Sequence, residues 1–176
     1  MIVAIVVAVG AVIAILAVAA LRQTPEAEQP VAIVAVPAPQ AESSDCRTLI
    51  DALPEQLGDY RRATAADPAP PGAAAWRATP DSEAVILRCG VERPAEFVLG
   101  SPLQVVDEVS WFRVGEAGTG DNTGAEQGRS TWFAVDRPVY VALTLPEGSG
   151  PTPIQEISQL IAKSLPAKAA EPAPVR

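Results

Sequence analysis

The sequence contains no histidine among its 176 residues, and it has only two cysteines and one methionine. The missing histidine excludes Ser-His-Asp and Cys-His catalytic arrangements and every zinc site that uses an imidazole ligand. The two cysteines, Cys46 and Cys89, lie 43 positions apart, far from the spacing of a CxxC redox motif or a paired metal-ligand motif. We therefore assign no catalytic residue, no metal site and no cofactor, and a non-enzymatic role is favoured over the enzymatic alternatives that stay open.

Positive charge is also scarce. Lys and Arg number 13 against 21 Asp and Glu, which leaves a net charge of −8. An acidic chain without a basic run is repelled by phosphate backbones, so we predict that it binds no nucleic acid. Carboxylate pairs such as Glu92 and Glu96 are present, but an acidic surface produces such pairs by chance, and a solvated surface is the favoured interpretation.

Apolar residues are concentrated in residues 1–21, MIVAIVVAVGAVIAILAVAAL, which include no charged, amide or hydroxyl side chain. As a helix this run would be about 31 Å long, close to the hydrocarbon thickness of a bilayer. We predict a transmembrane helix that acts as an uncleaved signal anchor. The alternative is a cleaved signal peptide, with the small residues AVA at 17–19 as its cleavage site.

The rest of the chain divides by composition into a linker, a domain and a tail. Residues 22–43 are rich in proline and alanine, which predicts an extended spacer. The apolar stretch VAIVAV at 31–36 has a second interpretation, a first edge strand lying on the domain. Residues 44–165 form the predicted extracytoplasmic domain, and residues 166–176 form a predicted disordered tail.

Helical patterns begin and end the domain. Apolar residues recur at helical spacing from Cys46 to Leu57 behind a cluster of capping residues, which predicts an opening helix. The segment PTPIQEISQLIAKSL predicts a closing helix with Thr152 as its N-cap and Pro153 in its first turn.

Strand patterns lie between the two helices. Residues 63–83 are predicted as a loop anchored by Trp76. Strands are predicted at 84–89, 96–99, 103–114, 130–135 and 138–145. The expected fold class is α+β: after the transmembrane helix, a small, mostly antiparallel sheet of about five strands flanked by two helices.

Cys46 and Cys89 are predicted to form a disulfide. Outside the cytoplasm two cysteines most simply pair, and closing a loop of this size would stabilise the fold by about 4 kcal/mol. A free buried thiol and a catalytic nucleophile are the alternatives, and the nucleophile would lack the histidine that commonly activates a thiolate.

Two aromatic pairs, Trp111-Phe112 and Trp132-Phe133, form the possible binding surface. Consecutive residues of a strand point to opposite faces, so the two members of each pair must separate. Core packing is the favoured role for the buried member. The member on the exposed face is the candidate binding contact.

Several segments carry a family resemblance, among them DCRTLIDALPEQLGDYRR, AVILRCGVERP, VSWF and VDRPVYVALTLPEGSGPTPIQEISQLI. Together, across residues 36–161, they resemble an uncharacterised actinobacterial family of membrane-anchored or secreted proteins, catalogued as a domain of unknown function. The resemblance implies an N-terminal membrane segment, an extracytoplasmic domain and a cysteine pair, and no activity. One departure is Asp107-Glu108, where the family pattern has an Asn-Gly-like turn.

These observations predict a single-pass protein of the cell membrane whose C-terminal domain lies outside the cytoplasm. The predicted function is a non-catalytic binding or assembly module of the cell envelope, with an envelope protein or a wall component as partner. Two alternatives remain. A carboxylate-based hydrolase acting on wall material would need two acids that converge in a cleft, and a thiol-redox partner would need an exposed, easily reduced disulfide.

Overall fold

A computed structural model describes residues 29–115 and 128–175 of the chain. The predicted transmembrane helix at 1–21 lies outside these residues. Across the described ranges, neither helix has the length and apolar character needed to span a membrane.

The described chain forms eight strands and two helices. The strands are β1 (Gln56–Leu57), β2 (Tyr60–Ala63), β3 (Ala73–Arg77), β4 (Val85–Val91), β5 (Gln104–Val106), β6 (Val109–Gly115), β7 (Ser130–Ala134) and β8 (Tyr140–Leu145). The helices are α1 (Ser44–Asp51) and α2 (Thr152–Ser164). All strands belong to one antiparallel sheet with the order β1-β2-β3-β4-β8-β7-β6-β5. The sheet therefore consists of two four-stranded meanders that meet where β4 pairs with β8.

The predicted sheet of about five strands is wrong, because the described residues form eight. Three strands, β1 to β3, were missed, and β3 lies inside the region predicted as a loop. Its sequence AAAWR has little intrinsic strand preference, so pairing with β2 and β4 on its two sides determines its conformation. The segment 96–99 is not a strand of the sheet, and 103–114 contains two strands, β5 and β6.

The turn between β5 and β6 explains this last difference. Asp107 and Glu108 both have positive φ angles, 45° and 66°, which a tight hairpin turn requires and which Asn-Gly adopts more readily. The side chain of Arg137, only 2% exposed, donates a hydrogen bond to the carbonyl oxygen of Glu108 at 2.8 Å. Arg137 also lies 2.9 Å from Oδ1 of Asp136, whose Oδ2 accepts from the Ser110 N–H at 2.8 Å. The Asp136-Arg137 pair thus stabilises the turn.

Both helices pack on one face of the sheet, called here the helix face. Ser43 caps α1 by accepting a hydrogen bond from the Cys46 N–H at 3.2 Å. The N-cap of α2 is Pro151 rather than the predicted Thr152. The large residues that are fully buried on this face include Trp76, Leu87, Trp111, Leu143, Ile157 and Ile161. Burying an aliphatic side chain of this kind contributes about 1.5–3 kcal/mol, so the helix face holds the main core.

The opposite face, called here the open face, is covered in two separate places. Val31 and Ile33, from the predicted linker, pack against Ile86 at one side. Phe97 packs against Phe112 at the other side, with ring centroids 5.3 Å apart, and Ala170 from the predicted tail joins this cluster. The middle of the open face lies between these two clusters.

Cys46 and Cys89 form a disulfide that joins α1 to β4, in agreement with the predicted pairing. Their Cα atoms are 5.5 Å apart, and both residues are 0% exposed. Gly90 follows directly, with a φ of +79° at an irregularity in the β4–β8 pairing. A Cβ at this position would overlap the backbone of Gln40 and Ala41, so only glycine lets the chain entering α1 pass this close to β4.

Candidate binding site on the open face

A groove of about 560 Å³ occupies the middle of the open face. Its floor follows from strand register. Arg88 of β4 pairs with Ala142 of β8, which pairs with Phe133 of β7. Because Ala142 is small and its two cross-strand neighbours are large, the sheet surface has a depression at this point. We call the cavity the open-face groove.

A second row of side chains lies beside the first on the groove floor. Thr144 of β8 pairs with Thr131 of β7, which pairs with Val114 of β6. The hydroxyl oxygens of the two threonines are 3.0 Å apart and form a hydrogen bond. Thr144 is only 6% exposed, so this polar pair lies at the base of the groove.

Two short segments, 34–37 and 91–96, form the rim of the groove. They contact each other, because the N–H of Glu92 donates to the carbonyl oxygen of Pro37 at 3.3 Å. Val34 and Val36 are 74% and 44% exposed. The rim therefore adds exposed apolar surface to the groove.

Arg88 and Arg129 bring positive charge into the groove. An Nη atom of Arg88 donates to the carbonyl oxygen of Val34 at 3.3 Å, and its Nε atom is buried without a hydrogen-bond partner among the described residues. Burial lowers the pKa of Arg88, and the positive charge of Arg129 lowers that pKa further. Within residues 29–115 and 128–175, neither arginine has a carboxylate within ion-pair distance. The groove thus contains two cations that repel each other.

Of the four predicted binding residues, only Phe133 lines the open-face groove. Trp111 is fully buried on the helix face, where its Nε1–H donates to the Ser158 hydroxyl at 2.9 Å. Trp132 is half-buried on the same face. The guanidinium carbon of Arg113 lies over the Trp132 ring, 5.4 Å from the ring centroid. Phe112 is on the open face but is covered by Phe97. Strand alternation therefore places the tryptophans on the helix face and the phenylalanines on the open face.

Sequence reasoning missed four polar residues of the groove, Arg88, Arg129, Thr131 and Thr144. One signal was present in the sequence. Arg88 lies within the apolar run VILRCGV. The residues two positions before and after it, which share its face of the strand, are Ile86 and Gly90, and neither is polar. A charged side chain inside such a run indicates either an ion pair or a ligand site. The partners of Arg88 in the groove come from distant strands, which local sequence could not indicate.

The two enzymatic alternatives can be compared with this geometry. Glu92 and Glu96 both lie on the rim, but both are exposed, whereas a hydrolase of this kind needs two acids that converge inside a cleft. The disulfide is buried between α1 and β4, which counts against a thiol-redox role because attack by an external thiolate requires access.

Fold and site together define a small α+β domain that carries a ligand-sized groove on a single antiparallel sheet. The chain belongs to the family described as protein of unknown function (DUF3515), whose family model matches residues 5–170. This confirms the resemblance to a family of unknown function, and actinobacterial origin stays a prediction. Comparisons with curated proteins and with solved structures found no match.

Proposed function

We propose that this protein is a non-catalytic binding or assembly module of the cell envelope and that the open-face groove is its binding site. The observation that carries the proposal is the pair of half-buried arginines in a groove with a mostly apolar lining, without carboxylate partners within ion-pair distance in the described chain. Desolvating a guanidinium group costs free energy unless a partner compensates it. A bound ligand would supply that partner.

We further propose that the domain lies outside the cytoplasm and is held at the membrane by residues 1–21. The buried disulfide supports this location, because disulfides persist in oxidising compartments and are rare in the cytosol. The apolar run supports the anchor, because residues 1–21 contain no charged, amide or hydroxyl side chain and would be about 31 Å long as a helix. Alkylation of denatured whole-cell protein tests the location. Cys46 and Cys89 are expected to react only after reduction, and two reactive thiols without reduction would contradict it.

In-cell photo-crosslinking tests the binding role. A photoreactive phenylalanine analogue at Phe133 is expected to give a discrete crosslinked product, whereas the same analogue at exposed Asp81, outside the groove, gives none. Ala142→Leu places a larger side chain on the groove floor and is expected to abolish the product. Ala78→Leu adds the same bulk at an exposed position outside the groove and serves as its control. Equal products from positions 133 and 81 would refute the proposed site.

A further inference from the structure

We infer that the open-face groove recognises the terminal carboxylate of a short peptide, bound by Arg88 and Arg129 with an adjacent apolar side chain against Phe133. This inference rests on the proposed function and specifies the chemical class of its ligand. Four properties of the groove lead to it: its charge, its hydroxyl groups, its apolar surface and its rim.

The charge of the groove differs from the charge of the chain. The chain carries a net charge of −8, yet Arg88 and Arg129 lie close enough for the charge of one to affect the pKa of the other. Each guanidinium is a planar fork of donors that matches a carboxylate in a bidentate arrangement. A bound carboxylate would remove their mutual repulsion.

The threonine pair adds one more donor. In the bond between Thr131 and Thr144, one hydroxyl donates its proton and the other accepts it. The accepting hydroxyl keeps its own proton, which has no protein acceptor among the described residues. Two guanidinium groups and one O–H without a protein acceptor in the described chain therefore line the same groove, which favours a ligand group that is an acceptor.

The apolar surface beside these donors requires a ligand that is only partly polar. Phe133 and Ala142 provide an apolar floor, and Val36 provides an apolar rim. The volume of about 560 Å³ falls in the range of small-ligand sites. The end of a peptide chain fits such a groove better than an internal segment, which would have to leave it in two directions.

The rim distinguishes a peptide from a fatty acid. Glu92 and Glu96 lie on the rim as exposed carboxylates. A peptide has backbone N–H groups, or a terminal ammonium group, from which these carboxylates can accept hydrogen bonds. An alkyl chain offers no donor and would lie beside two hydrated charges. The groove thus offers cationic donors to a terminal carboxylate and anionic acceptors to the N–H groups of the same peptide.

The test measures fluorescence anisotropy on the full chain, reconstituted in phosphatidylcholine nanodiscs. The probes are two fluorescein-labelled tetrapeptide libraries without Asp or Glu, identical except that one has free C-terminal carboxylates and the other has C-terminal amides. Unlabelled decanoate is the competitor that represents a fatty acid. We expect the best free-acid peptides to bind at least tenfold more tightly than their amides, and decanoate to compete poorly.

Arginine variants connect this binding to the groove. Arg129→Gln and Arg88→Lys are each expected to weaken free-acid binding about tenfold and to leave the amides unaffected. Arg88→Lys keeps the positive charge at a half-buried site, so that a loss reflects bidentate geometry rather than unfolding. Arg61→Gln, at an exposed position of β2, is the control and is expected to bind like the wild type.

Several results would overturn the inference: no saturable binding in either library, equal affinity for acids and amides, or preferential binding of decanoate. These results are distinguishable from failure of the proposed function. If crosslinking at Phe133 persists while acids and amides bind equally, the groove is a binding site for another ligand class. If crosslinking at Phe133 matches that at Asp81, the groove itself is not the site.

Discussion

Removal of the disulfide between Cys46 and Cys89 is expected to lower the free energy of unfolding by about 4 kcal/mol. The bond closes a loop with a sequence separation of 43, and the chain-entropy cost of closing such a loop gives this value. The loop contains most of α1, all of β1 to β3 and most of β4, so the constraint acts on the first meander. For a domain with a total stability of about 5–15 kcal/mol, this is a large fraction.

Two perturbations separate the constraint from the packing. Reduction of the wild-type protein breaks the bond but leaves both sulfur atoms in the core, where both residues are 0% exposed. The double variant Cys46→Ala, Cys89→Ala also removes those atoms and creates a small cavity. It is therefore expected to be less stable than the reduced wild type by roughly 1 kcal/mol or more.

Urea unfolding monitored by tryptophan fluorescence provides the measurement, because Trp76 and Trp111 are fully buried in the folded domain. With a slope of about 1–3 kcal/mol per molar urea, a loss of about 4 kcal/mol moves the midpoint by roughly 2 M. Unfolding free energies of the oxidised and reduced protein that agree within about 1 kcal/mol would refute the reasoning.

Four further substitutions, one of them a control, test the backbone and the turn by the same unfolding measurement. Gly90→Ala is expected to cost at least about 3 kcal/mol, because its Cβ would contact the backbone of Gln40 and Ala41. Gly100→Ala is its control, because Gly100 also has a positive φ of +87° but an added Cβ would have no atom within 4 Å. Only the backbone cost of about 1–2 kcal/mol is therefore expected. Equal losses of stability in the two variants would argue against the contact with Gln40 and Ala41. Glu108→Gly is expected to stabilise by roughly 1 kcal/mol by relieving a φ of 66°, and a loss would show that the turn is unstrained. Arg137→Gln is expected to cost about 3 kcal/mol, because it leaves the carboxylate of Asp136 without its cation; a loss below about 1 kcal/mol would contradict this.

The local elements that could be predicted have a strong internal pattern. α2 follows from the apolar spacing of Ile154, Ile157 and Ile161, and β8 follows from its strict alternation. β4 and β7 follow from runs of apolar and aromatic residues, and the disulfide follows from having only two cysteines outside any redox or metal motif. β1 to β3 could not be predicted in this way, because two of them are very short and the third is rich in alanine.

The groove depends on contacts between residues that are distant in the sequence. The separation of Phe133 from Trp132 follows from strand alternation alone. That Phe133 lies beside Ala142, and Ala142 beside Arg88, depends on the register of β7 with β8 and of β8 with β4. A shift of one residue in either pairing would turn Arg88 away from the row that contains Phe133.

By itself, the sequence determined the two helices, the strongest strands, the pairing of the cysteines and the opposite faces of the aromatic pairs, because each depends on side-chain type and local periodicity. Only the tertiary structure decided the eight-stranded order, the junction of the two meanders at β4 and β8, and the position of two arginines in one groove. Strand register is set by the simultaneous packing of both faces of the sheet, a non-local condition that no single segment contains.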